Sequence, residues 1–221
     1  MKIKILSALL ALAASSTILA APIQLVTNGG FETGTLSGWT TSGLGTTGTC
    51  PSANRDWNVS SSGGATGCVA VANPTNGTYA AYVMGDGTGP LTYRLFQNIV
   101  VPDNVIGGSL SFDWARYNFA DNDRSLNVLL DGINVFSSST YGQSSWTNVL
   151  LDVSAILSAG AGTTMALEFD NYVPRTWTGG AGLGIDRVSV SAAVPEPTTI
   201  ALLGLGLLGF AASRRKSAKN A

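Results

Sequence analysis

The strongest constraint on this chain is the spacing of its apolar residues between positions 21 and 193. Leu110, Phe112 and Trp114 alternate with Ser111 and Asp113, and Met165, Leu167 and Phe169 alternate with Ala166 and Glu168. Alternation with period 2 puts one face of a strand in a core and the other in solvent. Leu126 to Leu130 and Ile133 to Val135 flank Asp131-Gly132, a pair that favours the tight two-residue turn of a hairpin. In that register Leu130 faces Ile133 and Val128 faces Val135. Further strands are predicted over 79–84, 91–101, 147–153 and 184–191, and one helical turn over 154–158. Helical periodicity is otherwise confined to the chain ends. Short strands joined by Gly-, Ser- and Asn-rich loops predict an all-β fold, a two-sheet jelly-roll sandwich.

The ends have a different character. Lys2 and Lys4 precede a largely apolar run from Ile5 to Leu19, closed by Ala20 and Ala21. A basic head, an apolar stretch and a small-residue exit make residues 1–20 a secretory signal peptide. At the other end, Pro195-Glu196-Pro197 precedes an uncharged apolar segment from Ile200 to Ala212, which Arg214, Arg215 and Lys216 close. With its Thr and Ser flanks this segment is just long enough to cross the hydrocarbon of a bilayer as a single helix. Its basic cluster would stay on the cytoplasmic side, and the preceding domain outside. The chain thus divides into 1–20, 21–193 and 194–221. Gly204, Gly206 and Gly209 spell a dinucleotide-binding spacing, but no strand precedes them, so helix packing is the better reading.

Charge follows the same division. The whole chain balances 12 Lys+Arg against 13 Asp+Glu. All its lysines lie in the end segments, so the middle domain sets six arginines against twelve carboxylates and carries −6. That charge disfavours nucleic acid as a partner. The chain has no His. It therefore cannot build a Ser-His-Asp or Cys-His nucleophile, a His general base or a His-bearing zinc site. Lysine bases and Schiff bases are absent from the domain as well.

The tail resembles the PEP-CTERM sorting signal of Gram-negative bacteria, in the order Pro-Glu-Pro, apolar helix, basic cluster. This resemblance implies recognition by an exosortase, transient anchoring in the inner membrane, and delivery to the cell surface or an extracellular polysaccharide matrix. The domain resembles galactose-binding-like jelly rolls, the fold of many carbohydrate-binding modules. The likeness rests on the opening Asn28-Gly29-Gly30-Phe31-Glu32 with Gly38-Trp39, and on the closing Gly184-Ile185-Asp186-Arg187-Val188-Ser189-Val190. It implies that the first and last strands are neighbours and that Glu32 and Asp186 hold a structural Ca²⁺. Two carboxylates with backbone carbonyls suit a hard cation. The alternative is that Asp186 pairs with Arg187 or another arginine and Glu32 hydrogen-bonds the Gly29-Gly30 turn.

Cys50 and Cys68 are the only cysteines, and an exported pair favours a disulfide over two free thiols. Sugar binding uses aromatic platforms beside planar polar groups. Trp39, Trp114 and Trp146 read as packing residues. Trp57 and Trp177 lie in polar loops and are the candidate platforms, with Arg116 and Tyr117 as candidate groove residues beside Asp121-Asn122-Asp123. No catalytic residue is recognisable. The sequence therefore points to an exported, non-catalytic carbohydrate-binding module. The alternatives are a purely structural matrix protein and a carboxylate-based glycoside hydrolase.

Overall fold

The computed structural model describes residues 20–43, 56–63, 71–85, 90–118, 124–174, 181–195 and Gly206. All of the signal peptide but Ala20, and all of the apolar tail segment but Gly206, lie outside these residues. Among the described residues no helix is long and apolar enough to cross a membrane.

Among the described residues twelve strands follow in order: β1 (Ala20–Gln24), β2 (Thr40–Ser42), β3 (Asn58–Ser60), β4 (Ala80–Gly85), β5 (Leu91–Val100), β6 (Gly107–Asn118), β7 (Ser125–Leu130), β8 (Ile133–Ser139), β9 (Gly142–Gln143), β10 (Thr147–Asp152), β11 (Thr164–Val173) and β12 (Ala181–Pro195). One short helix, α1 (Ser154–Ala159), stands between β10 and β11. All pairings are antiparallel. One sheet runs β10-β6-β12-β4-β3, with β1 on β12 and β9 on β6, and the other runs β2-β5-β11-β7-β8. The jelly-roll sandwich expected from the alternation is the fold observed.

The alternation drives the packing. Leu110, Phe112 and Trp114 of β6 and Met165, Leu167 and Phe169 of β11 all face a shared core. Phe112 meets Phe136 and Phe169 edge-on at centroid distances of 5.4 and 5.3 Å, which ties the two sheets together. Such aromatic pairs add roughly 0.5–1.5 kcal/mol beyond their buried area. The Asp131-Gly132 turn forms with both residues at positive φ, 52° and 75°. Beyond it the register departs from expectation. Leu130 pairs with Ile133, but Val128 pairs with Phe136 instead of Val135, across a shift between Val128 and Leu129. Val135 is the extra residue of a β-bulge. The bulge turns Phe136 onto Phe112 and leaves Ile133 half in solvent.

The first and last described strands meet, as the opening and closing motifs imply. Ile23 pairs with Ala192 and Ala20 with Pro195, so β1 lies along the final stretch of β12. The strand therefore takes up Ala20 at one end and reaches the first residue of Pro195-Glu196-Pro197 at the other. Gly29 sits where a Cβ would fall 1.9 Å from the Val188 carbonyl oxygen, and its own carbonyl accepts from the Val188 N–H at 2.8 Å. Only glycine allows that approach. Phe31 is fully buried and stacks at 5.6 Å on Trp39, whose Nε1 donates to the Asn28 carbonyl.

Candidate functional site

Two groups of polar side chains stand out, one on the open face of the five-stranded sheet and one at the seam of the opening and closing motifs.

On β5, β11 and β7 the core-facing residues alternate with an outward set. Pairing aligns that outward set into rows. Ser42 faces Arg94, Arg94 faces Asp170, Asp170 faces Asn127, and Asn127 faces Ser137. One polar row therefore crosses all five strands. Arg94 is its centre. Nε and Nη2 donate to the two Asp170 oxygens at 2.9 and 3.1 Å, and Nε also lies 2.8 Å from Glu168. These bonds hold the guanidinium protonated above its ordinary range, chiefly through Asp170. Ser137 donates to Asn127 Oδ1 at 2.7 Å. The adjoining rows put Tyr172 opposite Thr92 on one side and Phe96 opposite Glu168 on the other. Tyr172 is 37% exposed and Phe96 half-buried. The result is a belt of fixed donors and acceptors edged by two aromatic rings. The sequence carries the signal, since these are the polar positions of alternating strands, but attention to loop tryptophans passes over it.

At the seam, Asp186 is completely buried on β12 and faces Asp113 of β6. Its Oδ1 accepts from the Arg187 N–H at 2.7 Å, while its Oδ2 has no hydrogen-bond partner. Burial first, then the nearby Asp113 and Glu32 charges, push this carboxyl up to about 6. The Arg187 guanidinium bonds to Asp113 at 3.3 Å, not to Asp186, and Asn148 donates to Asp113 Oδ1 at 2.7 Å. Glu32 accepts at 3.0 Å from the Thr78 and Tyr79 N–H groups rather than from the Gly29-Gly30 turn. A Cβ on Gly77 would strike the Glu32 carboxylate. Among the described residues no cluster of three or more Asp, Glu, Cys or His side chains is close enough to hold a metal by itself. A cation here would need backbone carbonyls or water besides Glu32 and Asp186. An orphaned, buried carboxylate oxygen beside two further carboxylate charges is chemistry that such a cation satisfies.

The remaining sequence candidates fall elsewhere. Trp57 is a core residue and not a platform. It is 3% exposed, and its Nε1 donates to the Tyr93 carbonyl at 3.2 Å, so neither ring face is open to a sugar. The neighbouring Asp56 is turned to the Thr41 hydroxyl, which donates to it at 2.7 Å. Arg116 lies 5.0 Å over the Trp114 ring and donates from Nε to the Tyr141 carbonyl at 2.8 Å. Tyr117, the next residue of β6, packs on the other face against the small cluster of Tyr82 and Ala115. The two therefore do not share a groove. Trp39 and Trp114 are buried as expected, and Trp146 packs edge-on against Tyr82. Trp177, Cys50, Cys68, Asp121-Asn122-Asp123, Glu196, Pro197, Arg214, Arg215 and Lys216 lie outside the described residues.

Comparison with known proteins bears on the tail and on the fold. Residues 193–216 match the PEP-CTERM protein-sorting motif. No curated protein sequence matches the chain. Among solved structures, the chain is similar to the carbohydrate-binding module TmCBM61, solved with β-1,4-galactotriose. Identity is 17%, the TM-score 0.53, and coverage 76% of this chain and 97% of that one. At that identity the likeness establishes the shared β-sandwich. Two looser matches are the CBM22-1 xylan-binding domain of Paenibacillus barcinonensis Xyn10C and the enzymatically active domain of bacteriophage CBA120 tailspike protein 4. The first has 11% identity, TM-score 0.46, and covers 81% of this chain and 99% of that one. The second has 16% identity, TM-score 0.48, and covers 77% of this chain but 21% of that one.

Proposed function

We propose that this protein is an exported, non-catalytic module that is sorted to the cell surface or extracellular matrix of a Gram-negative bacterium and holds polysaccharide there. The observation that carries the reading is the polar row across all five strands of one open sheet face, edged by Tyr172 and Phe96. Sugar rings offer apolar C–H faces to aromatic rings and hydroxyls to planar polar groups. Asp170 accepts from Arg94 and Glu168 is ion-paired to it, so both are held in place as acceptors for hydroxyl donors. Trafficking rests on the sorting motif at 193–216, with an exosortase as processing partner and the Ile200 to Ala212 segment as the transient inner-membrane anchor.

Glu32 and Asp186 belong to this reading as ligands of a structural Ca²⁺. The ion would neutralise the orphaned Asp186 oxygen and cross-link the opening motif to the closing strand, a role in stability and not in catalysis. A Cys50–Cys68 disulfide would staple the segment between them.

Retention on immobilised polysaccharides, including the native matrix, tests the sugar reading. The exported protein is expected to be retained, and Tyr172→Ala and Arg94→Ala to lose about tenfold or more in affinity while keeping their circular dichroism. No retention on any glycan, or full retention by both variants, would overturn it.

A further inference from the structure

The same face also selects among polysaccharides by charge. We infer, on the basis of the glycan reading above, that its occupant is a neutral polysaccharide chain and that uronate-bearing polymers are rejected. Arg94, Glu168 and Asp170 are the charged side chains at outward positions on the described strands β2, β5, β11, β7 and β8. Their sum is −1. The other outward groups in the three rows are hydroxyls, the two amides Asn127 and Asn134, Leu129 and the two aromatic rings.

The distribution of bonds matters as much as the sum. An arginine that recognises a sugar carboxylate does so by offering it two parallel N–H donors. Here the Nε/Nη2 edge of the guanidinium is already taken by Asp170, and Glu168 lies 2.8 Å from the same Nε. A uronate arriving at Arg94 would be the third carboxylate around one guanidinium. It would either displace Asp170 or take the remaining Nη edge beside two like charges that already neutralise the guanidinium. A neutral chain meets no such conflict. Its hydroxyls donate to the outer lone pairs of Glu168 and Asp170 and accept from the Arg94 N–H groups those carboxylates leave over. Asn127 and Ser137 extend the same donor and acceptor pattern to the far strand. The Arg94 side chain is 41% exposed, against 19% for Glu168 and 12% for Asp170, so all three present some surface to a ligand.

The experiment compares retention of the exported protein on a neutral galactan and on polygalacturonate, at low and at high salt. The expected result is retention on the galactan and at least fivefold weaker retention on the uronate polymer at low salt. Salt should narrow the gap, because screening weakens repulsion between exposed charges. Glu168→Gln removes one negative charge and keeps an oxygen acceptor. It should raise the uronate-to-neutral affinity ratio by about fivefold, the worth of one unit charge near 4 Å in water. Asp170→Asn, which also frees the Nε/Nη2 edge of Arg94, should raise it further. Equal or stronger uronate binding by the unmodified protein overturns the selectivity. So does a ratio that neither variant moves while each keeps its circular dichroism. Loss of retention on every polymer would instead bring down the underlying glycan reading.

Discussion

Replacing Asp186 by Asn should stabilise the metal-free protein near neutral pH, which is an unusual outcome for a change at a fully buried polar residue. The carboxyl is raised from 3.8 to about 6 by burial and by the Asp113 and Glu32 charges. A raised acid is stabilising in its protonated form, so its contribution is complete below its ordinary pKa and is lost as pH climbs through about 6. At about pH 7.5 the wild-type fold therefore carries an ionised group it disfavours by about 3 kcal/mol, since each tenfold change in proton affinity is worth about 1.4 kcal/mol. Asparagine removes that charge at nearly constant shape. Its new N–H donor offsets part of the gain if it finds no acceptor, leaving about 1–3 kcal/mol. For a domain of this size that corresponds to roughly 2–10 °C in Tm. Thermal melts of wild type and Asp186→Asn, stripped of metal, provide the assay. The variant should melt higher at about pH 7.5, and the difference should shrink as pH falls through about 6 and be nearly gone below about 4. Added Ca²⁺ should raise the wild-type Tm and leave the variant unmoved. A variant that melts lower than metal-free wild type at neutral pH would refute the reasoning, because Oδ2 would then have a native partner worth more than the charge costs.

Other expectations follow from the same geometry. Trp57→Ala should cost about 3–5 kcal/mol in denaturant unfolding, the usual loss for a large core aromatic; a cost near zero would return Trp57 to the surface. Gly29→Ala should destabilise by at least about 1–3 kcal/mol, since its methyl group meets the Val188 carbonyl and backbone must move; an unchanged melt would contradict the close approach. Alkylation and mass analysis of the exported protein should find Cys50 and Cys68 unreactive until reduction, and ready labelling without reductant would exclude the cross-link. Replacing Pro195, Glu196 and Pro197 by Ala should leave the precursor in the membrane fraction, and normal release would remove the sorting motif from the trafficking route.

The fold is legible in the sequence because alternation reports directly on which face of a strand is buried. It places Phe112 and Phe169, and the flanking apolar runs place the Asp131-Gly132 turn. The bulge at Val135 is not legible, because the extra residue is selected by the contact of Phe136 with Phe112, a partner on the other sheet. That the Glu32 charge lies near enough to act on Asp186 is legible only through a resemblance, since no local pattern relates residues so far apart. The polar row escapes a sequence reading for a different reason. Trp57 draws attention because its neighbours in sequence are polar, yet burial is decided by what closes over a residue in space. Arg94, Asp170 and Tyr172 are ordinary one by one and become a row only once strand order is known.

The central claim, that the open face of the five-stranded sheet holds polysaccharide, is tested most directly by mapping contacts. Amide chemical shifts of the isotope-labelled exported protein would be followed on titration with a neutral galactan. The perturbed amides are expected to concentrate on Arg94, Phe96, Asn127, Glu168, Asp170 and Tyr172. Perturbations confined to β6, β12 and the Arg116 end of the sandwich, or none at all, would contradict the claim.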